Sequence, residues 1–246
     1  MHNLEIQNTE YTIGSIWEFL DSESSEFLKT LYDDVLIKFK DNTEFVTYLY
    51  ASFNDHPLFK HSGYYTENEF VEIKKYVDLQ KDEKSEPHQQ NKTCHEKLSE
   101  FAKSIGLDEN YFKDVVYRVL DDLAIKILQK HYNINTDPSQ FVHSAQLTWY
   151  TDGDFIKMHD DGPSDTRICA LLIYLTPEEY YKIGNGGELV LKNRKNTIDI
   201  AYPTLGNYAI IDFTRNSPVH SVHRVIGDFN RFAYLNFVEL KDYDRP

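Results

Sequence analysis

A histidine and an aspartate two positions apart are the first residues in the chain that suggest chemistry. His159 and Asp161 end a run, 156–161, that is typical of a β-strand. Side chains at i and i+2 of a strand project from the same face. An imidazole and a carboxylate placed side by side supply two-thirds of a metal site. In an acidic chain with 10 histidines, one such pair is expected by chance, so a third ligand is needed.

A histidine on a later run can provide that third ligand. His220 lies 61 residues after His159, and His223 follows three residues further on. Two histidines and one carboxylate leave three positions open on Fe(II), which oxygen chemistry requires. Residues three apart on a regular strand point to opposite faces, so only one of the two can face the metal. A β-bulge can reverse which one it is.

An arginine near the end of the chain suggests that the same site binds an acid. Arg231 immediately precedes the strand-like run 232–240. A planar guanidinium can bind a carboxylate through two hydrogen bonds at once. An arginine that faced the core without such a partner would be costly. The pattern therefore indicates an acidic small-molecule cosubstrate.

These residues belong to an ordered set of motifs between Gln146 and Glu239. The set resembles the Fe(II)- and 2-oxoglutarate-dependent oxygenases, specifically the prolyl-4-hydroxylase-like group, over about 40% of the chain. Its members, in order, are Tyr150-Thr151-Asp152-Gly153, His159-x-Asp161, the Arg167–Leu175 strand ending in Tyr-Leu, Gly186-Gly187-Glu188-Leu189, and Gly206–Phe213 before the distal histidine. Each piece is common, whereas the ordered set is not.

The resemblance assigns roles to the candidate residues. It implies that His159, Asp161 and a distal histidine form the catalytic iron centre. His220 is favoured as that histidine because it precedes Arg231 by 11 residues, close to the family's usual spacing of about ten, whereas His223 precedes it by 8. Arg231 matches the arginine that binds the 5-carboxylate of 2-oxoglutarate.

Two tyrosines match positions that line the cosubstrate pocket in this family. Tyr174 matches a strand tyrosine that often hydrogen-bonds the same carboxylate, and Tyr150 matches one on the pocket wall. The chain has 18 tyrosines, and most of them must serve packing or the surface, so the assignment of these two depends on the resemblance.

The activity implied by the resemblance is a dioxygenase reaction with Fe(II), 2-oxoglutarate and O2, with ascorbate as an auxiliary reductant. It hydroxylates a substrate C–H bond and releases succinate and CO2. Asp161 favours hydroxylation over halogenation, because the family's halogenases replace that carboxylate. By analogy with the prolyl-4-hydroxylase-like group the substrate is a protein or peptidyl proline, and the alternative is a free amino acid or small metabolite.

Readings of other classes compete with this one. A jelly-roll module could hold a metal, a sugar or a small acid without turning it over, or a helical interaction protein could use the sandwich as a scaffold. A nucleic-acid demethylase on the same fold would need a basic groove, whereas the chain has 26 Lys plus Arg against 40 Asp plus Glu and a net charge of -14. We therefore expect no nucleic-acid partner.

The elements that must position these residues change type near Ala145. Before it, apolar residues recur every three to four positions and predict helices. They are expected after the Ser24-Ser25 cap signal, from Asn42 through Phe53, after the capping box 66–69, from Thr93 to about Gly106, and from Asp108 through Ile127. Lys81–Lys92 is polar and is predicted to be a loop or a frayed helix end.

After Ala145 the sequence contains eight short β-branched and aromatic runs separated by turn residues. They are Ala145–Tyr150, Ile156–Asp161, Arg167–Leu175, Glu188–Leu191, Thr197–Ala201, Tyr208–Phe213, Val219–Ile226 and Phe232–Leu240. Regular strands without intervening helices predict an antiparallel sandwich or jelly roll with an open mouth between its layers. The expected fold is α+β: a double-stranded β-helix of about eight antiparallel strands, with the helices packed against it.

The predicted organisation is a helical region, 1–140, and a jelly-roll core, 141–246. The helical region can support the sheet, cover the substrate or form a homodimer face. No run approaches the roughly 18 apolar residues of a membrane span, and the N-terminus lacks a secretory pattern. The two cysteines are too few for a disulfide framework. We therefore expect a cytoplasmic protein with no membrane partner.

Overall fold

The computed structural model describes residues 10–41, 47–52, 87–93, 98–132, 141–159, 161, 167–214 and 218–240. The strands are β1 (Tyr11–Ser15), β2 (Thr47–Ser52), β3 (Pro87–Thr93), β4 (Phe141–Tyr150), β5 (Phe155–His159), β6 (Arg167–Tyr174), β7 (Leu189–Lys192), β8 (Ile198–Ala201), β9 (Asn207–Asp212), β10 (Val219–Val222) and β11 (Arg231–Leu240). The helices are α1 (Ser22–Asp34), α2 (Leu98–Ser104) and α3 (Arg118–His131), and a π-helical turn (Phe112–Tyr117) leads into α3.

The strands form a jelly roll of two antiparallel layers. One layer has the order β1-β9-β6-β11-β4 and the other β5-β10-β7-β8. Strand β3 joins them, because it pairs with β4 at one end and with β5 at the other, and β2 pairs with β3. The predicted α+β jelly roll is confirmed, and each of the eight predicted strands is present as β4 to β11.

The N-terminal part of the chain contributes strands that the sequence did not predict. The helix expected from Asn42 through Phe53 is wrong, because Thr47–Ser52 is β2. Its Thr and Tyr residues favour a strand, and pairing with β3 supplies the hydrogen bonds. The prediction of a loop or a frayed helix end over Lys81–Lys92 is wrong from Pro87 onward, because β3 begins there. Its ladder uses backbone groups and needs no apolar side chains. The helix expected after residues 66–69 lies outside the described residues.

The helices predicted on either side of these strands are present, with small shifts. Helix α1 begins at Ser22, two residues before the predicted cap signal, and its N-cap is Asp21, which accepts a 2.7 Å hydrogen bond from the Ser24 amide. Asp108 accepts a 2.8 Å bond from the Asn110 amide just before the long predicted helix. None of the helices in the described part of the chain is long and apolar enough to cross a bilayer.

Strand β6 lies at the centre of the larger layer and is buried on both faces. Alternate residues, Cys169, Leu171 and Ile173, pack in one core with the helices, and their neighbours, Ala170, Leu172 and Tyr174, pack in a second core between the two layers. This placement explains the continuous apolar run in the sequence. Side chains of β11 alternate in the same way, so Phe232 faces the helices and Ala233 faces the interior.

The helix-facing core depends on this central strand. We expect Leu171→Ala to lower the free energy of unfolding by about 2–5 kcal/mol, because Leu171 is fully buried and its removal leaves a cavity. The measurement is urea unfolding followed by circular dichroism. Ile200→Ala on β8 is the matched control, since Ile200 is 42% exposed, and it should cost no more than about 0.5 kcal/mol. Equal losses would contradict the assignment of the core.

Candidate metal centre

Three of the predicted ligands converge in the structure. One ligand atom each from His159, Asp161 and His220 lies within 4.8 Å of the other two. The Nε2 atoms of the two histidines lie 3.5 Å from the two carboxylate oxygens of Asp161. Among the described residues, no other group of His, Cys, Asp or Glu side chains meets this criterion. The structure therefore offers one candidate metal centre within those ranges.

Strand pairing between β5 and β10 places the two histidines together. His220 lies directly opposite His159, whereas Val222 lies opposite Ile156. Three steps along β5 thus match two steps along β10, which is a β-bulge around Lys157 and Met158. The bulge resets the alternation of side chains, so that His159 faces the interior and Met158 is 45% exposed.

A backbone carbonyl orients each imidazole ring. The Nδ1 atom of His159 lies 2.8 Å from the Lys157 carbonyl oxygen, and that of His220 lies 3.0 Å from the Pro218 carbonyl oxygen. A carbonyl can only accept, so each Nδ1 carries a proton. Each ring therefore turns its Nε2 toward the Asp161 carboxylate, which leaves Nε2 as the atom that would bind a metal.

The environment of Asp161 favours its ionised form. Burial alone would raise the pKa of this carboxyl. The hydrogen bond with His159 and the electrostatic attraction of His220, His159 and Arg167 outweigh burial and lower the pKa. A metal ligand must be deprotonated, so this shift suits the carboxylate for that role. Two imidazoles and one carboxylate form the donor set that suits non-haem Fe(II) with positions left open.

His223, the alternative distal histidine, lies elsewhere. It follows the end of β10, and its Nδ1 atom is 3.3 Å from the carboxylate of Glu188. Its side chain is 54% exposed. The structure therefore groups His220 with the other two candidate ligands and places His223 in a surface pair.

Arg231 is buried deep between the layers. It is 1% exposed, and its Nε donates a 2.8 Å hydrogen bond to the Gly187 carbonyl. The guanidinium carbon lies 4.6 Å from the ring centre of Tyr150 and 5.2 Å from that of Tyr174. Its Nη2 has no hydrogen-bond partner within the described ranges. The three residues predicted for cosubstrate binding are thus brought together.

Tyr174 adds a second buried group without a hydrogen-bond partner. Its hydroxyl has none among the described residues. Burial raises the pKa of Tyr174, and the charge of Arg231 offsets only part of that rise, so the hydroxyl keeps its proton. Buried polar groups without partners are rare and costly. An incoming carboxylate could accept from both Arg231 Nη2 and Tyr174 Oη, so these residues fit the far end of 2-oxoglutarate.

Comparison with known proteins agrees with this donor set. Residues 145–239 match the family described as the 2OG-Fe(II) oxygenase superfamily. That segment of the chain is a member of the 2OG-Fe(II) oxygenase superfamily. Its members are Fe(II)- and 2-oxoglutarate-dependent enzymes, and the His-Asp-His cluster of this oxygenase lies within the matched segment. A search of curated proteins gave no significant match.

Several solved structures are similar to this chain at low sequence identity. A prolyl-4-hydroxylase from Pseudomonas putida has a TM-score of 0.53 and 10% identity, over 94% of each chain. A prolyl hydroxylase from Trichoplax adhaerens, solved with a hypoxia inducible factor peptide fragment, has a TM-score of 0.45 and 14% identity, over 90% of this chain and 94% of that one. A viral collagen prolyl hydroxylase from Paramecium Bursaria Chlorella virus-1 has a TM-score of 0.40 and 15% identity, over 95% of this chain and 97% of that one. The P. putida similarity supports a shared fold.

Two glycines of the oxygenase shape the wall behind Arg231. Gly186 has a φ of +73°, and a Cβ there would lie 1.8 Å from the Arg224 carbonyl oxygen. Gly187 has a φ of +80°, and a Cβ there would lie 3.1 Å from Cδ of Arg231. Both a left-handed backbone and a close approach exclude other residues at the first of these positions. The Gly-Gly pair therefore lets the Gly187 carbonyl reach the guanidinium.

Sequence reasoning missed two contributors to the site. One is the Gly187 carbonyl, because the Gly-Gly motif marks a turn and does not say which group the turn serves. The other is Thr176, whose hydroxyl bonds to the backbone on both sides of Arg231. No local sequence pattern identifies a threonine whose hydroxyl bonds to backbone more than 50 residues away, so only the structure shows this contact.

The Gly-Gly turn makes a sharp prediction. Gly186→Ala should lower the free energy of unfolding by at least about 3 kcal/mol, because the new methyl group collides with backbone in addition to the strain of a positive φ. Gly184→Ala is the matched control, since Gly184 has a φ of +102° with no atom within 4 Å of a Cβ. It should cost only the strain, about 1–2 kcal/mol. Urea unfolding measures both, and equal costs would contradict the predicted collision.

Proposed function

We propose that this chain is an Fe(II)- and 2-oxoglutarate-dependent dioxygenase that hydroxylates a substrate C–H bond and releases succinate and CO2. The observation that carries the proposal is the pairing of two features in one jelly roll. A cluster of two histidines and one aspartate stands at the metal centre, and a buried arginine and tyrosine present polar atoms without partners. A binding module that only held a metal would not need the buried arginine and tyrosine.

Each residue of the site has a role in this proposal. His159, Asp161 and His220 hold Fe(II) through two Nε2 atoms and a carboxylate oxygen. Fe(II) bound there, with 2-oxoglutarate as the electron donor, supplies the activation of dioxygen. Arg231 and Tyr174 bind the far carboxylate of 2-oxoglutarate by donating hydrogen bonds to it.

The remaining groups keep the pocket rigid and dry. The ring of Tyr150 stacks against the guanidinium of Arg231 and limits its movement. Apolar side chains of β6, β7 and β10 line the interior between the layers and exclude water from it, among them Leu172, Leu189, Leu191 and Val222. A low-dielectric interior strengthens the attraction between Arg231 and a bound carboxylate. Asp161 would hold iron together with the two histidines, and a carboxylate in that role suits hydroxylation.

The substrate proposed for this site is a prolyl residue in a protein or peptide. It is supported by the shared fold with the P. putida prolyl-4-hydroxylase, an argument by analogy that the site residues neither add to nor oppose. The test is hydroxylation of proline-rich peptides beside a panel of free amino acids, followed by mass spectrometry. A gain of 16 Da on a prolyl residue supports the proposal, and a gain only on a free amino acid replaces it with the smaller substrate class.

We further propose that residues 1–140 support the jelly roll of residues 141–246 and fold with it. Strand β1 pairs with β9 inside the larger layer, and α1 and α3 share one hydrophobic core with β6 and β11.

A cytoplasmic location is proposed from the free and fully buried Cys169 thiol, which suits a reducing compartment.

The assignment of iron ligands predicts the outcome of single substitutions. His159→Ala, Asp161→Ala and His220→Ala should each reduce succinate formation from 2-oxoglutarate by more than the roughly 10–100-fold that follows loss of a group that only orients a ligand. His223→Ala is the matched control and should retain turnover, because His223 pairs with Glu188. The assay needs no substrate if the protein decarboxylates 2-oxoglutarate slowly on its own. If the His223→Ala variant lost turnover and the His220→Ala variant kept it, His223 would be the third iron ligand.

Arg231 predicts a separate effect on cosubstrate affinity. Arg231→Ala should weaken 2-oxoglutarate binding by on the order of 2–5 kcal/mol, the range for truncating one member of a buried charge pair. The measurement is anaerobic titration of Fe(II) protein with 2-oxoglutarate, monitored by the metal-to-ligand charge-transfer band. Arg231→Lys keeps the charge without the forked geometry, so its affinity for 2-oxoglutarate should lie between those of the wild type and Arg231→Ala. Unchanged affinity in Arg231→Ala would mean that another cation binds the carboxylate.

A further inference from the structure

One buried hydroxyl holds the backbone on both sides of Arg231. Thr176 lies two residues beyond the end of β6 and is fully buried. Its Oγ1 donates a 2.8 Å hydrogen bond to the Asn230 carbonyl and accepts a 2.8 Å bond from the Phe232 amide. A threonine hydroxyl has one proton to donate and lone pairs to accept, so both bonds form at once. Thr176 thus bridges the two neighbours of Arg231 in the chain.

This bridge lies where the pairing of β6 with β11 stops. The register begins with Ala233 opposite Tyr174, and the Leu175 amide then donates a 3.0 Å bond to the Phe232 carbonyl. In a continuing antiparallel ladder, Leu175 and Phe232 would exchange both bonds, and the Leu175 carbonyl would accept from the Phe232 amide. The Phe232 amide instead donates to the Thr176 hydroxyl, which takes the place of that carbonyl. The Thr176 carbonyl accepts a 2.6 Å bond from the Leu205 amide and so has left the ladder.

The side chain of Arg231 depends on this backbone support. The guanidinium donates a hydrogen bond from Nε to the Gly187 carbonyl, while Nη2 has no partner among the described residues. The direction of Nη2 is therefore set by the position of the Arg231 backbone, by that single bond and by the rings of Tyr150 and Tyr174. A shift of about 1 Å in such a group is enough to lose a forked contact to a carboxylate.

We propose that Thr176 is a positioning residue for 2-oxoglutarate. It fixes the Arg231 backbone at the end of the ladder, so that the guanidinium meets the far carboxylate of the cosubstrate. This inference depends on the proposed function, in which Arg231 binds that carboxylate. Thr176 itself touches neither the cosubstrate nor the metal ligands in this account.

Two substitutions separate the hydroxyl from the shape of the side chain. Thr176→Val keeps the volume but leaves the Asn230 carbonyl and the Phe232 amide unpaired. The dissociation constant of 2-oxoglutarate, from the anaerobic Fe(II) charge-transfer band, should rise about tenfold, the equivalent of one net hydrogen bond. Thr176→Ser keeps the hydroxyl and should remain within about twofold of wild type. Fe(II) affinity, measured by itself, should be unchanged in both.

Val238→Ala is the control for general loss of stability. Val238 is fully buried on the same strand and faces the helices, away from Arg231. It should lower the melting temperature while leaving the dissociation constant of 2-oxoglutarate unchanged. If Thr176→Val does not fold, Thr176→Cys is the second variant. Its thiol is a weak hydrogen-bonding group, so the dissociation constant should rise by an intermediate amount.

Failure of this inference and failure of the proposed function give different results. If Arg231→Ala weakens 2-oxoglutarate binding and the Thr176 variants do not, the role of Thr176 is overturned and that of Arg231 stands. If neither Arg231→Ala nor Thr176→Val weakens binding, the placement of the carboxylate at Arg231 is overturned as well. Equal weakening by Val238→Ala would show a general effect of stability and would also overturn the inference.

Discussion

The pairing of β5 with β10 is the constraint on which the rest of the site depends. It puts His159 directly opposite His220, and both imidazoles then need only a carbonyl behind Nδ1 to present their Nε2 atoms to the interior. The pairing works because one extra residue in β5 resets the side-chain alternation. Asp161, two residues further on, completes the set from the same side. The metal centre is thus a consequence of strand register, and the sandwich supplies the rigidity that a loop could not.

The second requirement of the fold is to keep a charge in a dry interior. A buried guanidinium is costly unless hydrogen bonds and a counter-ion compensate for its lost hydration. Arg231 obtains one bond from Gly187 and contacts with two aromatic rings, and the remaining compensation is left for a ligand. The Gly-Gly turn, Thr176 and the π faces of Tyr150 and Tyr174 therefore serve one purpose. They hold a cation in place for a carboxylate that arrives with the cosubstrate.

Much of this arrangement could be predicted from the sequence, because its signals are local. Turn residues and β-branched runs delimit the eight strands β4 to β11, and the ordered motifs lead to the family. The strands of the N-terminal part were missed because their signals are weak. The run at Thr47–Ser52 was predicted as a helix from its apolar spacing, although its pairing with β3 makes it a strand. The bulge was missed for a related reason. Simple alternation from Ile156 would place Met158 inside and His159 outside, and the extra residue is visible only in the register with β10.

The most direct test of the central claim is a crystal structure of the protein with 2-oxoglutarate and Mn(II), a redox-stable substitute for Fe(II), grown without oxygen. We expect metal bound by the Nε2 atoms of His159 and His220 and by a carboxylate oxygen of Asp161. We also expect the far carboxylate of 2-oxoglutarate within hydrogen-bond distance of Arg231 Nη2 and Tyr174 Oη. Metal bound by His223, or 2-oxoglutarate with its far carboxylate away from Arg231, would contradict the account.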